Sequence, residues 1–222
     1  MPSCVALLLL LVITPCLAAI ADPALPPLRP PAVPLVTHDP YFSIWSASDE
    51  LTASPTVHWT GAAQPLSSMI RVDGKAYRAM GTEPQNVAAM SQTGLDVHPT
   101  RTIYRFSGAG VEVTLTFLTP ALPQELDVIA RPVTYLIWTV QATDGKVHAV
   151  QLSFDAAALL AVNTSDQTVD WSRQTVGSLT ALRVGTVDQP ILGKKGDNLR
   201  IDWGYLYVAA KTDSAAQMAV MP

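Results

Sequence analysis

Val111–Leu118 reads "VEVTLTFL", with Val111, Val113, Leu115 and Phe117 on one parity and Glu112, Thr114 and Thr116 on the other. A period of two puts one row on each face of an extended chain, so this is a half-buried antiparallel strand. Residues 102–106 precede it across Ser107-Gly108-Ala109-Gly110, which predicts a hairpin. A second hairpin is predicted at 69–72 and 75–78, joined by Asp73-Gly74, a two-residue turn that suits strand twist. Residues 133–140 ("VTYLIWTV") are more uniformly apolar, the pattern of a central strand covered on both faces. Leu136 and Trp138 there are expected to be buried on a strand facing Leu115 and Phe117.

Asp144-Gly145 then turns the chain into a strand at 147–154, and further strands are predicted at 168–172, 179–184 and 201–209. In the last of these Trp203, Tyr205 and Tyr207 share a face. Residues 155–162 ("DAAALLAV") read as extended chain or a turn, with a short helix capped by Asp155 as the alternative. No long helical period occurs. Many short strands separated by turn residues indicate an all-β chain, an antiparallel β-sandwich.

The front end changes the picture. Residues 7–13 form an unbroken apolar run, too short for the roughly 20 residues that span a bilayer. Followed by Ala19-Ile20-Ala21, it reads as a secretory signal cut before Asp22, so the protein is expected to be secreted or periplasmic. Lipid anchoring through Cys16 is the lesser reading, because Pro15 before it fits such a site poorly. Both cysteines, Cys4 and Cys16, fall inside this leader. The mature chain then has no thiol for a disulfide, a nucleophile or a thiolate metal site, and must rest on its apolar core. Residues 22–34 ("DPALPPLRPPAVP") form a proline-rich, extended lead-in. The net charge of −4 without a basic stripe argues against nucleic acid and anionic membrane as partners. The chain stops on the apolar stretch 217–222 just after a strand, which predicts the front part of a longer protein.

Candidate chemistry is sparse. There is no phosphate loop, nucleophile elbow or zinc-helix motif. His38, His58, His98 and His148 are far apart and none has a metal-ligand spacing from another, so no metal and no cofactor is expected. The densest polar-aromatic stretch is 36–52, "VTHDPYFSIWSASDELT". Adjacent His38 and Asp39 would point to opposite faces of a strand. Asp39-Pro40 is a turn-favouring pair, so Asp39 bonding to its own backbone is favoured over catalysis. His58-Trp59, just before Thr60-Gly61, resembles the lining of a sugar site, although a buried, satisfied aromatic is commoner. His38, Asp39, Tyr41, Trp45, His58 and Trp59 are taken as a candidate interface or site rim. Asn163-Thr164-Ser165 fits the N-glycosylation acceptor pattern in a eukaryotic secretory host.

Two runs, "PPAVPLVTHDPYFSIWSASDELT" and "HWTGAAQPLSSMIRVDGKAYR", resemble the start of the secreted glutaminase A family, chiefly its bacterial members. "HPTRTIYRFSGAGVEVTLTFLTPALP", "ARPVTYLIWTV" and "AVNTSDQTVDWSR" continue the resemblance over nearly everything after the leader. The resemblance implies a signal peptide at 1–21, a family N-terminal segment at 22–90 holding the lead-in and first hairpin, and an incomplete β-sandwich domain at 91–222. It also implies a following helical toroid similar to six-hairpin glycosidases, the partner this chain lacks. The family activity is hydrolysis of L-glutamine, a small-molecule substrate, to L-glutamate and ammonia, with the catalytic residues outside this chain. The chain is then a non-catalytic scaffold. The alternatives are the accessory sandwich of a glycoside-active enzyme and a carbohydrate-binding module using exposed Trp and Tyr. Mass spectrometry of the protein from its native host should find a chain beginning at Asp22. Retention of Met1, or a lipid on Cys16, contradicts the export reading.

Overall fold

The structure is a computed structural model that describes residues 29–212 and 215–221. The signal peptide, both cysteines and the first part of the proline-rich lead-in lie outside the described residues. In chain order the strands are β1 (Val33–Asp39), β2 (Phe42–Ser46), β3 (Val57–His58), β4 (Leu66–Val72), β5 (Lys75–Met80), β6 (Ser91–His98) and β7 (Arg101–Gly108). They continue as β8 (Val111–Leu118), β9 (Tyr135–Ala142), β10 (Val150–Ala156), β11 (Val169–Val176), β12 (Leu179–Thr186) and β13 (Leu206–Lys211). Among the described residues the helical pieces are one short α-helix at Leu126–Ile129 and one 3-10 turn at Ala158–Ala161. Every pairing between these strands is antiparallel. They form four sheets, ordered β1-β2-β3, β10-β4-β5, β6-β7-β8-β9 and β11-β12-β13. The chain is therefore an all-β antiparallel sandwich.

Both predicted hairpins form. Asp73 (φ 49) and Gly74 (φ 85) take the left-handed backbone that a two-residue turn demands. Ala109 (φ 52) and Gly110 (φ 77) do the same between β7 and β8, so the expected four-residue loop shortens to two as β7 extends to Gly108. β1, β2, β3 and β6 were not legible as strands, because polar residues such as His38, Ser43 and Gln92 interrupt their apolar rows.

Three expectations need correction. The apolar run at 133–140 becomes β9, which is the edge strand of its sheet and not a central one. Its outward residues Tyr135 and Ile137 are exposed, and its inward Leu136, Trp138 and Val140 are half-buried against the core. Leu136 and Trp138 sit directly beside Phe117 and Leu115 on the neighbouring strand of one sheet, not on a facing sheet. Asp144-Gly145 does lead into the next strand, which begins at Val150 as β10 and pairs with β4 in the other sheet. β13 starts at Leu206, so Trp203 falls in the loop before it, while the Tyr205 and Tyr207 rings stay 6.5 Å apart.

The core lies between the β10-β4-β5 and β6-β7-β8-β9 sheets and is closed by β1 and β2. Val111, Val113, Leu115 and Phe117 of β8 are each at most 1% exposed, as their alternation requires. Tyr104 and Phe106 of β7 stand beside them, with the Tyr104 ring 6.5 Å from Phe117 in an edge contact. Burial pushes the Tyr104 phenol up to about 12, so it stays neutral. Leu66, Ile70 and Val72 of β4, Val33 and Leu35 of β1 and Ile44 of β2 complete the cluster. Each fully buried side chain of this size contributes about 1.5–3 kcal/mol. At the β9–β10 side the Trp138 and Phe154 rings meet edge-on at 5.9 Å. Beyond them Leu152 shares the face of buried Ile70 yet is 42% exposed, so this margin of the sandwich is open. Phe117→Ala should cost about 3–5 kcal/mol, because lost transfer energy and a cavity add. Tyr135→Ala on the outer face should cost under about 1 kcal/mol. Urea unfolding of both variants checks the assignment of faces, and equal losses would contradict it.

Candidate functional site

Of the six candidate residues, Asp39, Tyr41, His58 and Trp59 meet at the tip of the β1–β2 hairpin, while His38 and Trp45 have partners of their own. Asp39 ends β1, and its Oδ1 accepts the backbone N–H groups of Tyr41 (2.7 Å) and Phe42 (3.0 Å). It builds the turn with the one carboxylate that this Asp-Pro pair provides. The Pro40 carbonyl then points at two aromatic rings. Trp59 Nε1–H donates to it at 2.6 Å and His58 Nε2 lies 3.0 Å away. The Thr60 N–H and hydroxyl both approach His58 Nδ1, at 3.3 and 2.9 Å. That makes Nδ1 the acceptor and leaves the proton on Nε2, donating to Pro40, a tautomer assigned from its partners. His58 pairs with Ile44 across β2–β3 and is fully buried. Burial holds its pKa below the ordinary value, and the nearby Arg200 charge acts in the same direction.

The other side of the tip is held by the loop before β13. The Tyr41 carbonyl accepts the Ile201 N–H at 2.9 Å, and the Tyr41 and Trp203 rings meet edge-on at 5.2 Å. His38 is turned elsewhere: it stacks on Phe42 at 5.9 Å and its Nε2 lies 3.3 Å from Thr134 Oγ1. Burial lowers its pKa, partly offset by the Asp39 charge. His38 and Asp39 thus have separate partners and make no catalytic pair. Trp45 donates its indole N–H to Ser43 Oγ at 2.7 Å. Trp45, His58 and Trp59 line an open groove with Ala32, Ala47, Val57 and Gly61.

A second polar group, unseen in the sequence, braces the same loop. Asp202 is buried, and its Oδ2 accepts from Gln167 Nε2 (2.9 Å) and Lys194 Nζ (3.2 Å). Asn163 Oδ1 accepts the Arg200 N–H at 3.0 Å, and the Arg200 guanidinium donates to the Asn163 carbonyl. The glycosylation pattern at Asn163 therefore falls on a buried bracing residue. Nothing in sequence spacing pairs positions 163 and 200. Among the described residues no cluster of three or more His, Cys, Asp or Glu side chains is arranged to hold a metal ion.

The chain was compared with known proteins. Residues 100–221 match the model described as a domain of unknown function, DUF5127. The chain belongs to the DUF5127 family. Ahead of the DUF5127 region, residues 17–92 match a second domain of unknown function, DUF4964, and this part holds all six candidate residues. The chain is similar to "Glutaminase A" of Aspergillus oryzae, 31% identical over 153 residues, covering 65% of this chain and 22% of that protein. It is also similar to "Probable glutaminase/05536" of Arthroderma benhamiae, 28% identical over 114 residues, covering 43% of this chain and 13% of that protein. The match thus spans less than a quarter of either relative's length. No solved structure matches the DUF5127 chain.

The His58 environment carries a prediction. A histidine held neutral in the fold contributes stability that is fully present above the unfolded value of about 6.5 and lost as pH falls through the lower folded value. Replacing it by glutamine, which keeps an amide donor but not the ring that reaches Thr60 and Pro40 at once, should cost about 1–3 kcal/mol at neutral pH. His58→Gln should also remove the acid-side fall that His58 contributes. Urea midpoints of the two proteins across pH 5 to 7 read both effects. A variant that keeps the parent's acid-side slope contradicts the neutral, bonded His58.

Proposed function

We propose that this chain is the non-catalytic N-terminal scaffold of an exported, glutaminase-like amidohydrolase. One observation carries the scaffold reading. The ring nitrogens of His58, the indole N–H groups of Trp45 and Trp59 and one oxygen of Asp39 are already bound to the chain's own partners. Asp39 is spent on the hairpin turn, His58 on Pro40 and Thr60, and the two indole N–H groups on Pro40 and Ser43. A general acid or base must be within hydrogen-bond reach of a substrate proton, and both ring nitrogens of His58 are already engaged within the fold. The resemblance to proteins named as glutaminases supports a glutaminase-like reaction, which in this reading is hydrolysis of the side-chain amide of L-glutamine by residues beyond this chain. The leader before Asp22 supplies the secreted or periplasmic location.

The partner in this reading is a helical domain of the same polypeptide. It would cover apolar groups that stand exposed on this chain, with Trp59, half-exposed beside the hairpin tip, at the junction. A carbohydrate-binding role has one observation behind it, the groove between Trp45 and Trp59, whose indole faces suit the C–H face of a sugar ring. A glycan array on this chain tests that alternative.

The experiment for the main reading compares ammonia release from L-glutamine by the longer protein and by residues 1–222 alone. The longer protein should turn over and the chain alone should not. In the longer protein, His38→Ala or Asp39→Ala should lower the melting temperature and keep the pH–rate profile, since losing an acid or base would reshape that profile. Turnover by the chain alone contradicts the scaffold role. So does a substitution that abolishes turnover at an unchanged melting temperature.

A further inference from the structure

At the other polar cluster of the molecule, three turns meet around His148. Its Nδ1 lies 2.7 Å from Asp73 Oδ2 and its Nε2 lies 3.0 Å from Asp144 Oδ1. A neutral imidazole carries one N–H, so it can donate to only one of these carboxylates and would set a lone pair against the other. The imidazolium satisfies both at once, with charge-assisted bonds. The ring is well enclosed, its side chain 9% exposed.

The carboxylates are themselves fixed. Asp73 Oδ1 accepts the Ala149 N–H at 2.8 Å, and the Asp73 N–H donates to the Ala149 carbonyl at 2.9 Å. Asp144 Oδ1 accepts the Lys146 N–H at 3.0 Å. The β7–β8 turn closes the third side. A Cβ at Gly110 would stand 2.8 Å from both Asp144 Oδ2 and His148 Nε2, so only glycine leaves room for the cluster. The Gly110 carbonyl also accepts the Thr143 N–H at 2.8 Å. His148 therefore ties the β4–β5 turn of one sheet to the β9–β10 crossing, which itself lies against the β7–β8 turn of the other sheet.

We propose that His148 is a proton-operated latch: protonated, it pins the β4–β5 turn to the β9–β10 crossing, and deprotonated, it lets them part. The charged groups facing it are Asp73 from the β4–β5 turn and Asp144 from its own connector. Lys146 stands behind Asp144, its Nζ 3.7 Å from Oδ2. The β7–β8 turn contributes Ala109 and Gly110, which carry no charge.

The direction of the effect follows from the pairing. Hydrogen bonds to Asp144 and Asp73 raise the His148 pKa, and the bond from His148 is the main cause holding each carboxylate below its ordinary value. A raised histidine contributes stability that is fully present below about 6.5 and lost as pH rises through the folded value. The carboxylates lose their share only when pH falls through their own lowered values. This end of the sandwich is then firmest in mildly acidic medium and loosens on the alkaline side.

Long-range proton–nitrogen spectra of the wild-type chain read each histidine separately. His148 should keep both ring nitrogens protonated well above the pH at which His38 and His58 have become neutral. Amide exchange at Asp73, Lys146 and Ala149, corrected for intrinsic chemistry, reads the opening. Protection there should fall as His148 deprotonates, by up to tenfold for each unit that its pKa stands above the unfolded value. In His148→Gln the same amides should be poorly protected at every pH, with no step. A His148 that titrates at or below about 6.5 overturns the latch. So does an exchange step of the same size in the variant. If the variant does not fold, the wild-type titration decides alone.

Discussion

The burial of one face of β7 and β8 is the constraint on which the rest depends. Tyr104, Phe106, Val113, Leu115 and Phe117 are all but inaccessible, and a slip of one residue would turn this row outward. Fixing that register fixes where β7 and β8 turn, and so the place of Gly110. It also sets β9 in register beside β8, with Trp138 next to Leu115 and reaching Phe154 of the other sheet. A chain that rests on an apolar core of this kind has its polar residues left for the ends and rims.

Three such places carry the organised polar chemistry described above, the β1–β2 tip, the Asn163–Arg200 brace beside it and the turns around His148, and in each of them side chains bind the chain's own backbone. At the β1–β2 tip a single carbonyl, that of Pro40, receives two ring N–H groups, and Asp39 closes the turn from below. At the far turns His148 joins two carboxylates held by main-chain N–H groups. Burial holds the His58 pKa below its ordinary value against the hydrogen bond to Pro40, whereas hydrogen bonds to two carboxylates hold that of His148 above it. The same residue type is thus shifted in opposite directions by its surroundings.

How much of this was legible in the sequence follows from distance along the chain. The Asp73-Gly74 turn and the β8 alternation are local, and both were read correctly. The β9 run was misplaced because uniform apolarity looks the same on a covered central strand and on an edge whose outer residues stay exposed. β13 was drawn too long because Trp203 carries the right parity but is held by Tyr41, 162 positions earlier in the numbering. Asp39 was read as a turn residue from its neighbour Pro40, and that is its role. The His148 cluster was not legible, since Asp73 and His148 are 75 residues apart and only the β9–β10 crossing brings them together.

The central claim is that the polar stretch at the β1–β2 tip is structural and binds no substrate. Titrating L-glutamine and L-glutamate into isotope-labelled chain, with the backbone and ring signals of His38, Asp39, Tyr41, His58 and Trp59 followed, tests it most directly. The account predicts no saturable shift at any of the five. A saturable shift centred on Asp39 or His58 would show a ligand competing for groups assigned here to the fold, and would contradict it.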